Sequence, residues 1–131
     1  MLTAHLPSGY VLVRVLRRRC DVPYLLPAAL LGAVLPDFDM IWFLFVDQGA
    51  IHHHRYWVHV PLFWAVVALV ALPLVALWAR RYFGTACVFF AALLMHLLLD
   101  TLSGGILWGA PVSDNLFSLM GSLTAGGGIV R

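Results

Sequence analysis

His96 and Asp100 place an imidazole and a carboxylate four residues apart in the run His96-Leu97-Leu98-Leu99-Asp100. On a helix that spacing projects both side chains from one face, one turn apart. The pair could bind one ion or two adjacent ions, or form a His–Asp hydrogen bond that ties its helix to a neighbour. A second pair of carboxylates, Asp37 and Asp39, follows Leu35-Pro36 directly. An aspartate near a helix end can cap backbone N–H groups, which accounts for one of the two but not easily for both beside an apolar run. His54, Arg55 and His59 bracket the start of a later apolar stretch, and His5 lies near the N-terminus, where fraying is the default. Imidazole and carboxylate donors with no thiolate favour zinc or another first-row divalent ion.

The rest of the chain makes these groups expensive. Of 131 residues, 63% are hydrophobic and only 11% charged, with a formal net charge of +2. A soluble domain carries about a quarter charged residues, so the composition points to a membrane protein, and the length to a single domain over 1–131. Every basic residue is Arg and every acid is Asp. Without Lys or Glu no exposed charged helix face can be built, and no nucleic-acid partner is expected at so small a net charge. Three aspartates in hydrocarbon cost roughly 8–10 kcal/mol together. Hydrogen bonds return about 1–2 kcal/mol apiece, whereas a well-ligated divalent ion contributes on the order of 10 kcal/mol. A metal centre closes that gap more readily than hydrogen bonds do.

The apolar pattern predicts an all-α fold, an integral membrane bundle of about four main helices with a short C-terminal helix. The first helix is expected from about Pro7 to Arg19, since Pro suits a first helical turn, and its spanning is doubtful. The second is expected from Val22 to Leu35, stopping near Pro36 because the residue before a proline disfavours helix. Met40 to Val46 is too short to span and reads as a half-helix or re-entrant turn. Asp47 to Arg55 is polar, with His52 and His53 as loop passengers. The third helix covers about Val60 to Ala79, near the ~20 residues a span needs, with a kink expected at Pro73. The fourth runs from Thr85 to Leu102 and breaks at Gly104-Gly105, and a short helix is expected around Asn115 to Leu123. Tyr56 and Trp57 read as interfacial anchors, and Asp21, Asp47 and Asp114 as ordinary interfacial or loop residues. Cys20 and Cys87 stand far apart, near the arginine side, and read as buried, inert thiols. No basic region precedes the weak first apolar stretch, so no cleavable signal is expected.

Short turns between antiparallel helices segregate two kinds of group. Arg14, Arg17, Arg18 and Arg19 mark one turn and Arg80-Arg81 another. His5, Asp37, Asp39, His54, His59, His96 and Asp100 should gather at the opposite end. The positive-inside rule then puts the arginines in the cytoplasm and the His/Asp groups on the non-cytoplasmic face of the cell membrane, in a multi-pass chain.

The succession His5, Leu35-Pro36-Asp37-Phe38-Asp39, His54-Arg55 with His59, and His96 with Asp100, followed by Gly105 and Pro111, resembles the YdjM-like membrane-bound metal-dependent hydrolases. That family is distantly similar to zinc phospholipase C and the zinc-dependent single-strand nucleases. The chain departs from the family pattern at Met40, where a histidine is usual. The resemblance implies metal ligation by His5, Asp37, Asp39, His54, His59, His96 and Asp100, with one or more zinc ions. It also implies hydrolysis of a phosphoester or lipid-like substrate by a metal-activated water. Asp39 is the candidate proton acceptor. Arg55 has two readings, neutralising phosphate charge or snorkelling to lipid headgroups. The alternatives are a non-catalytic metal-binding protein and a proton or metal permeation pathway. A pathway needs polar groups through the whole membrane depth, and here they crowd one end.

Overall fold

The computed structural model describes residues 2–18, 21–48 and 53–124. Six α-helices lie among them: α1 (Leu2–Leu16), α2 (Leu25–Val34), α3 (Asp39–Phe45), α4 (Pro61–Trp78), α5 (Phe83–Ser103) and α6 (Leu119–Thr124). Short 3₁₀ turns join several of them, and no named strand occurs among the described residues. The expected all-α architecture is therefore present. Among the described residues, three helical stretches are long and apolar enough to cross a membrane: Leu25–Phe45, Pro61–Trp78 and Arg80–Leu102. The chain divides into two units, residues 1–37 with 65–96, and residues 38–64 with 97–131.

In the first unit the helices approach on small residues. Val13, Leu25, Ala28, Ala29, Ala33, Val88 and Ala92 form its buried core. A Cβ on Gly9 would stand 2.9 Å from that of Ala33, and one on Gly32 would stand 2.3 Å from the carbonyl of Phe89. Close backbone contact on Gly and Ala is how helices gain packing energy when lipid offers no hydrophobic drive. Helix α1 starts earlier than Pro7, which lies inside it. The proline removes one N–H near the helix start, and the Ser8 hydroxyl donates to the His5 carbonyl over 2.7 Å. His5 thereby joins the helix, one turn before Gly9, and is buried rather than frayed.

The two arginine-bearing turns of this unit meet. The Thr85 hydroxyl at the start of α5 donates to the Pro23 carbonyl over 2.6 Å. The rings of Tyr24 and Tyr82 lie 6.0 Å apart, and the Arg81 guanidinium sits over the Tyr82 ring. Arg17 and Arg18 follow α1 directly. Arg19 and Cys20 lie outside the described residues. Cys87 is a free, half-buried thiol, less enclosed than expected.

The α-helix α2 stops at Val34, near Pro36 as expected, and the chain then continues helically. Leu35–Phe38 tightens into a 3₁₀ turn and Asp39 begins α3, so the expected half-helix is the last part of one 21-residue stretch. The fixed φ of proline is compatible with the start of that new helical turn. The tighter winding leaves Phe38 exposed between buried Asp37 and buried Asp39.

The second unit holds α3, the 3₁₀ turns His53–Arg55 and Trp57–His59, the end of α5 and α6. The Trp64 indole donates to the Val58 carbonyl over 2.7 Å, and Trp57 meets Phe63 edge-on. Tyr56 hydrogen-bonds Asp47, which raises the phenol pKa to about 12. The last helix starts later than Asn115 because Ile106 and Phe117 exchange backbone hydrogen bonds at 2.9 Å. Ser118 then caps α6, its hydroxyl accepting from Gly121 N–H at 3.2 Å. Asp114 is an exposed loop residue, as expected. Helix α4 has no buried residue, and Pro73 sits within it without ending it.

Candidate metal centre

Three elements of the first unit deliver an imidazole, a carboxylate and a second imidazole. His5 comes from α1, Asp37 from the 3₁₀ turn after α2, and His96 from α5. All three are at most 4% exposed. His5 Nε2 lies 4.0 Å from Asp37 Oδ2, and His96 Nε2 lies 3.8 Å from Asp37 Oδ1. The two imidazoles stack at 3.8 Å between centroids. His96 Nδ1 is 2.7 Å from the Ala33 carbonyl. A carbonyl can only accept, so Nδ1 carries the proton and the Nε2 lone pair is directed toward the carboxylate side.

The second unit repeats that construction with other residues. His54 Nδ1 donates to the Gly105 carbonyl over 2.8 Å, and His54 Nε2 stands 3.5 Å from Asp100 Oδ2. His59 Nδ1 lies 2.7 Å from Asp39 Oδ2, while its Nε2 also stands 3.5 Å from Asp100 Oδ2. His54, His59 and Asp100 are each buried. In both units the donor atoms lie within 4.8 Å of one another, close enough to share an ion.

The spacing itself is informative. Metal–nitrogen and metal–oxygen bonds of about 2.0–2.2 Å at tetrahedral angles put neighbouring ligand atoms roughly 3.3–3.5 Å apart. The 3.5 Å Nε2-to-Oδ2 separations match that edge and stand at the long limit of hydrogen bonding. Backbone carbonyls and a carboxylate hold the far nitrogens, as outer partners of metal-bound histidines do. By donor type, burial and orientation, the residues present could hold a metal ion.

His59 carries an electrostatic signature of the same arrangement. Burial pulls its pKa down, but hydrogen bonds to Asp100 and Asp39, with the charges of both carboxylates, raise it from 6.5 to about 9. Two carboxylates thus prefer a cation between them.

Each expected ligand can now be placed. His5, Asp37 and His96 meet in the first unit, and His54, His59 and Asp100 in the second. Asp39 belongs to neither set of donors and instead orients His59. Arg55 is exposed and adjoins His54 on its 3₁₀ turn. His52 lies outside the described residues. The sequence reading missed the carbonyls of Ala33 and Gly105, which every residue possesses and no side-chain pattern flags. It also missed Thr101, whose hydroxyl donates to the Leu97 carbonyl and accepts from the Trp108 indole. Gly104 does more than break α5. A Cβ there would meet His54 Cε1 at 2.3 Å, so the bare backbone is what admits the ring.

The model of the YdjM inner membrane protein family matches residues 1–130. Inner membrane protein YbcI of Escherichia coli (strain K12) is 35% identical over 100 residues, covering 72% of this chain and 58% of that protein. The chain therefore spans little more than half the length of this curated relative. No solved structure matches. The chain belongs to the YdjM inner membrane protein family.

Proposed function

We propose that this YdjM-family membrane protein is a metal-dependent hydrolase acting on a phosphoester or lipid-like substrate, with zinc as its metal. The observation that carries the reading is the shared orientation of His54, His59 and His96. Each has Nδ1 held by a backbone carbonyl or by Asp39, and each turns Nε2 toward an aspartate 3.5–3.8 Å away. Hydrogen-bonded bundle packing alone gives no reason for three buried histidines to be set alike.

A bound zinc ion would supply Lewis acidity and water that is nucleophilic near neutral pH. The chain's own residues account for the rest. Asp37 in the first unit and Asp100 in the second would each balance the charge of a cation held by its own unit's histidines, and the carbonyls of Ala33 and Gly105 fix the histidine tautomers. Asp39, paired with His59, is the carboxylate proposed to accept a proton. Arg55, exposed beside His54, suits the developing negative charge of a phosphoryl group. By the positive-inside rule the His/Asp groups face the non-cytoplasmic side, and substrate reaches them from the lipid phase.

Elemental mass spectrometry of the purified protein, with and without the His96→Ala/Asp100→Ala double substitution, tests the metal. Zinc should be present in the parent and lost from the variant while the variant still inserts. Unchanged metal stoichiometry in the double variant rejects the site. Metal-loaded protein that turns over no phosphoester or lipid, in the presence of zinc and the absence of chelator, rejects the hydrolase.

A further inference from the structure

At the end of the first unit remote from His5, Asp37 and His96, two cavities share a wall. One, of about 660 Å³, is lined by Arg17, Arg18, Asp21 and the first turn of α2, including Leu25 and Leu26. The other, of about 570 Å³, is almost wholly apolar and runs along Leu31, Val75, Ala86 and Phe89. Tyr24 and Pro27 line both. A polar, cationic compartment thus opens beside an oily groove, with a tyrosine at the junction.

We infer that these joined cavities bind one anionic glycerophospholipid, its phosphate on Arg17 and Arg18 and an acyl chain along Leu31, Ala86 and Phe89. The inference is independent of the metal reading.

Charge favours that occupant. Two guanidinium groups and the Asp21 carboxylate leave the polar compartment at net +1. Guanidinium forks match phosphate oxygens two at a time. Helix α2 begins at Tyr24 in the left-handed conformation (φ 53°) with no side-chain cap. Its first-turn N–H groups and the positive end of its dipole therefore lie at the same wall and add to the attraction for an anion. Asp21 is positioned for a headgroup hydroxyl. Arg80 and Arg81 on the turn after α4 extend the basic surface, since Tyr82 packs near Tyr24.

The shape supports a lipid over a small anion. Free phosphate would fill only the polar cavity and leave the groove unused. The groove lies between α2, the end of α4 and the start of α5, on helices long enough to span a membrane. Along α2 the eight-residue rise from Leu25 to Ala33 puts the polar compartment roughly 12 Å from the carbonyl that holds His96. A lipid held here would be a resident or regulatory molecule, not the substrate of the histidine end.

The test is native mass spectrometry of the full chain in detergent with equal amounts of phosphatidylglycerol, phosphatidylethanolamine and phosphatidylcholine. Phosphatidylglycerol should be retained at least about fivefold over the other two, the factor one net basic charge near an anionic headgroup supplies. Arg17→Gln/Arg18→Gln should abolish that preference, and Ala86→Phe, which fills the groove, should reduce retention of every lipid. Equal retention of the three lipids by the parent protein overturns the inference whether or not either variant folds. Phosphatidylethanolamine retained as well as phosphatidylglycerol would mean that Asp21 selects an ammonium, and the anionic assignment falls. Displacement by millimolar inorganic phosphate would mean a headgroup-only anion site and would also overturn it.

Discussion

The Nδ1–H of His54 donates to the carbonyl oxygen of Gly105 over 2.8 Å, linking residues 51 positions apart. That bond is possible because Gly104, the residue before, has no side chain where the imidazole lies. The glycine pair after α5 does more than end a helix: it makes room for the His54 imidazole and supplies the acceptor that orients it.

Gly104→Ala is therefore a direct probe of the second unit's centre. Its Cβ would collide with Cε1 of His54, and the ring must leave. Zinc affinity measured by competition with a chromogenic chelator is expected to fall about 10–100-fold, the usual cost of disturbing ligand support. Retained parental affinity would show that His54 is not a ligand.

Proton linkage offers a second check. His59 has its pKa raised to about 9 in the folded protein from an ordinary 6.5. The folded state thus binds the proton more tightly than the unfolded one, and the resulting stabilisation is complete below about pH 6.5. It is lost as pH rises through about 9. Chelator-treated protein in detergent should melt at progressively lower temperature across that window. Asp39→Asn, which removes one of the two carboxylates holding the imidazolium, should flatten the trend.

Helix crossing in the first unit rests on Gly32. An alanine there would press its Cβ to 2.3 Å from the Phe89 carbonyl, a backbone atom that cannot swing aside. Overpacking of this kind costs about 1–3 kcal/mol. Gly32→Ala should lower the melting temperature and the yield of monodisperse protein on size exclusion. Ala71→Gly, by contrast, changes a half-buried position on α4 outside any close crossing and should cost only about 1 kcal/mol of helix propensity.

Apolar runs and charge placement made much of the fold readable. Four main helices follow from run length, and the arginine turns at Arg17–Arg18 and Arg80–Arg81 do meet, through Pro23 and Thr85. The ligand candidates were readable because ionisable groups stand out against hydrocarbon. Pro36 correctly marked the end of α2 at Val34, but not the 3₁₀ turn that carries the chain on into α3. Pro7 read as a helix start although α1 begins at Leu2, and His5, where fraying is the default for a terminus, lies inside that helix and is buried. The different placements of Asp37, among the candidate donors, and Asp39, beside His59 Nδ1, were invisible: two aspartates two residues apart look identical until the local winding is known.

Helix α4 exposes Leu69, Leu77 and Trp78 and has no fully buried side chain. Interior positions are selected for shape, because each must fit fixed neighbours at crystal-like density. On this helix the neighbours are fluid, so selection acts on oiliness and length alone. Drift among leucine, valine and phenylalanine should be tolerated there, while a single misplaced methyl group between α2 and α5 is not.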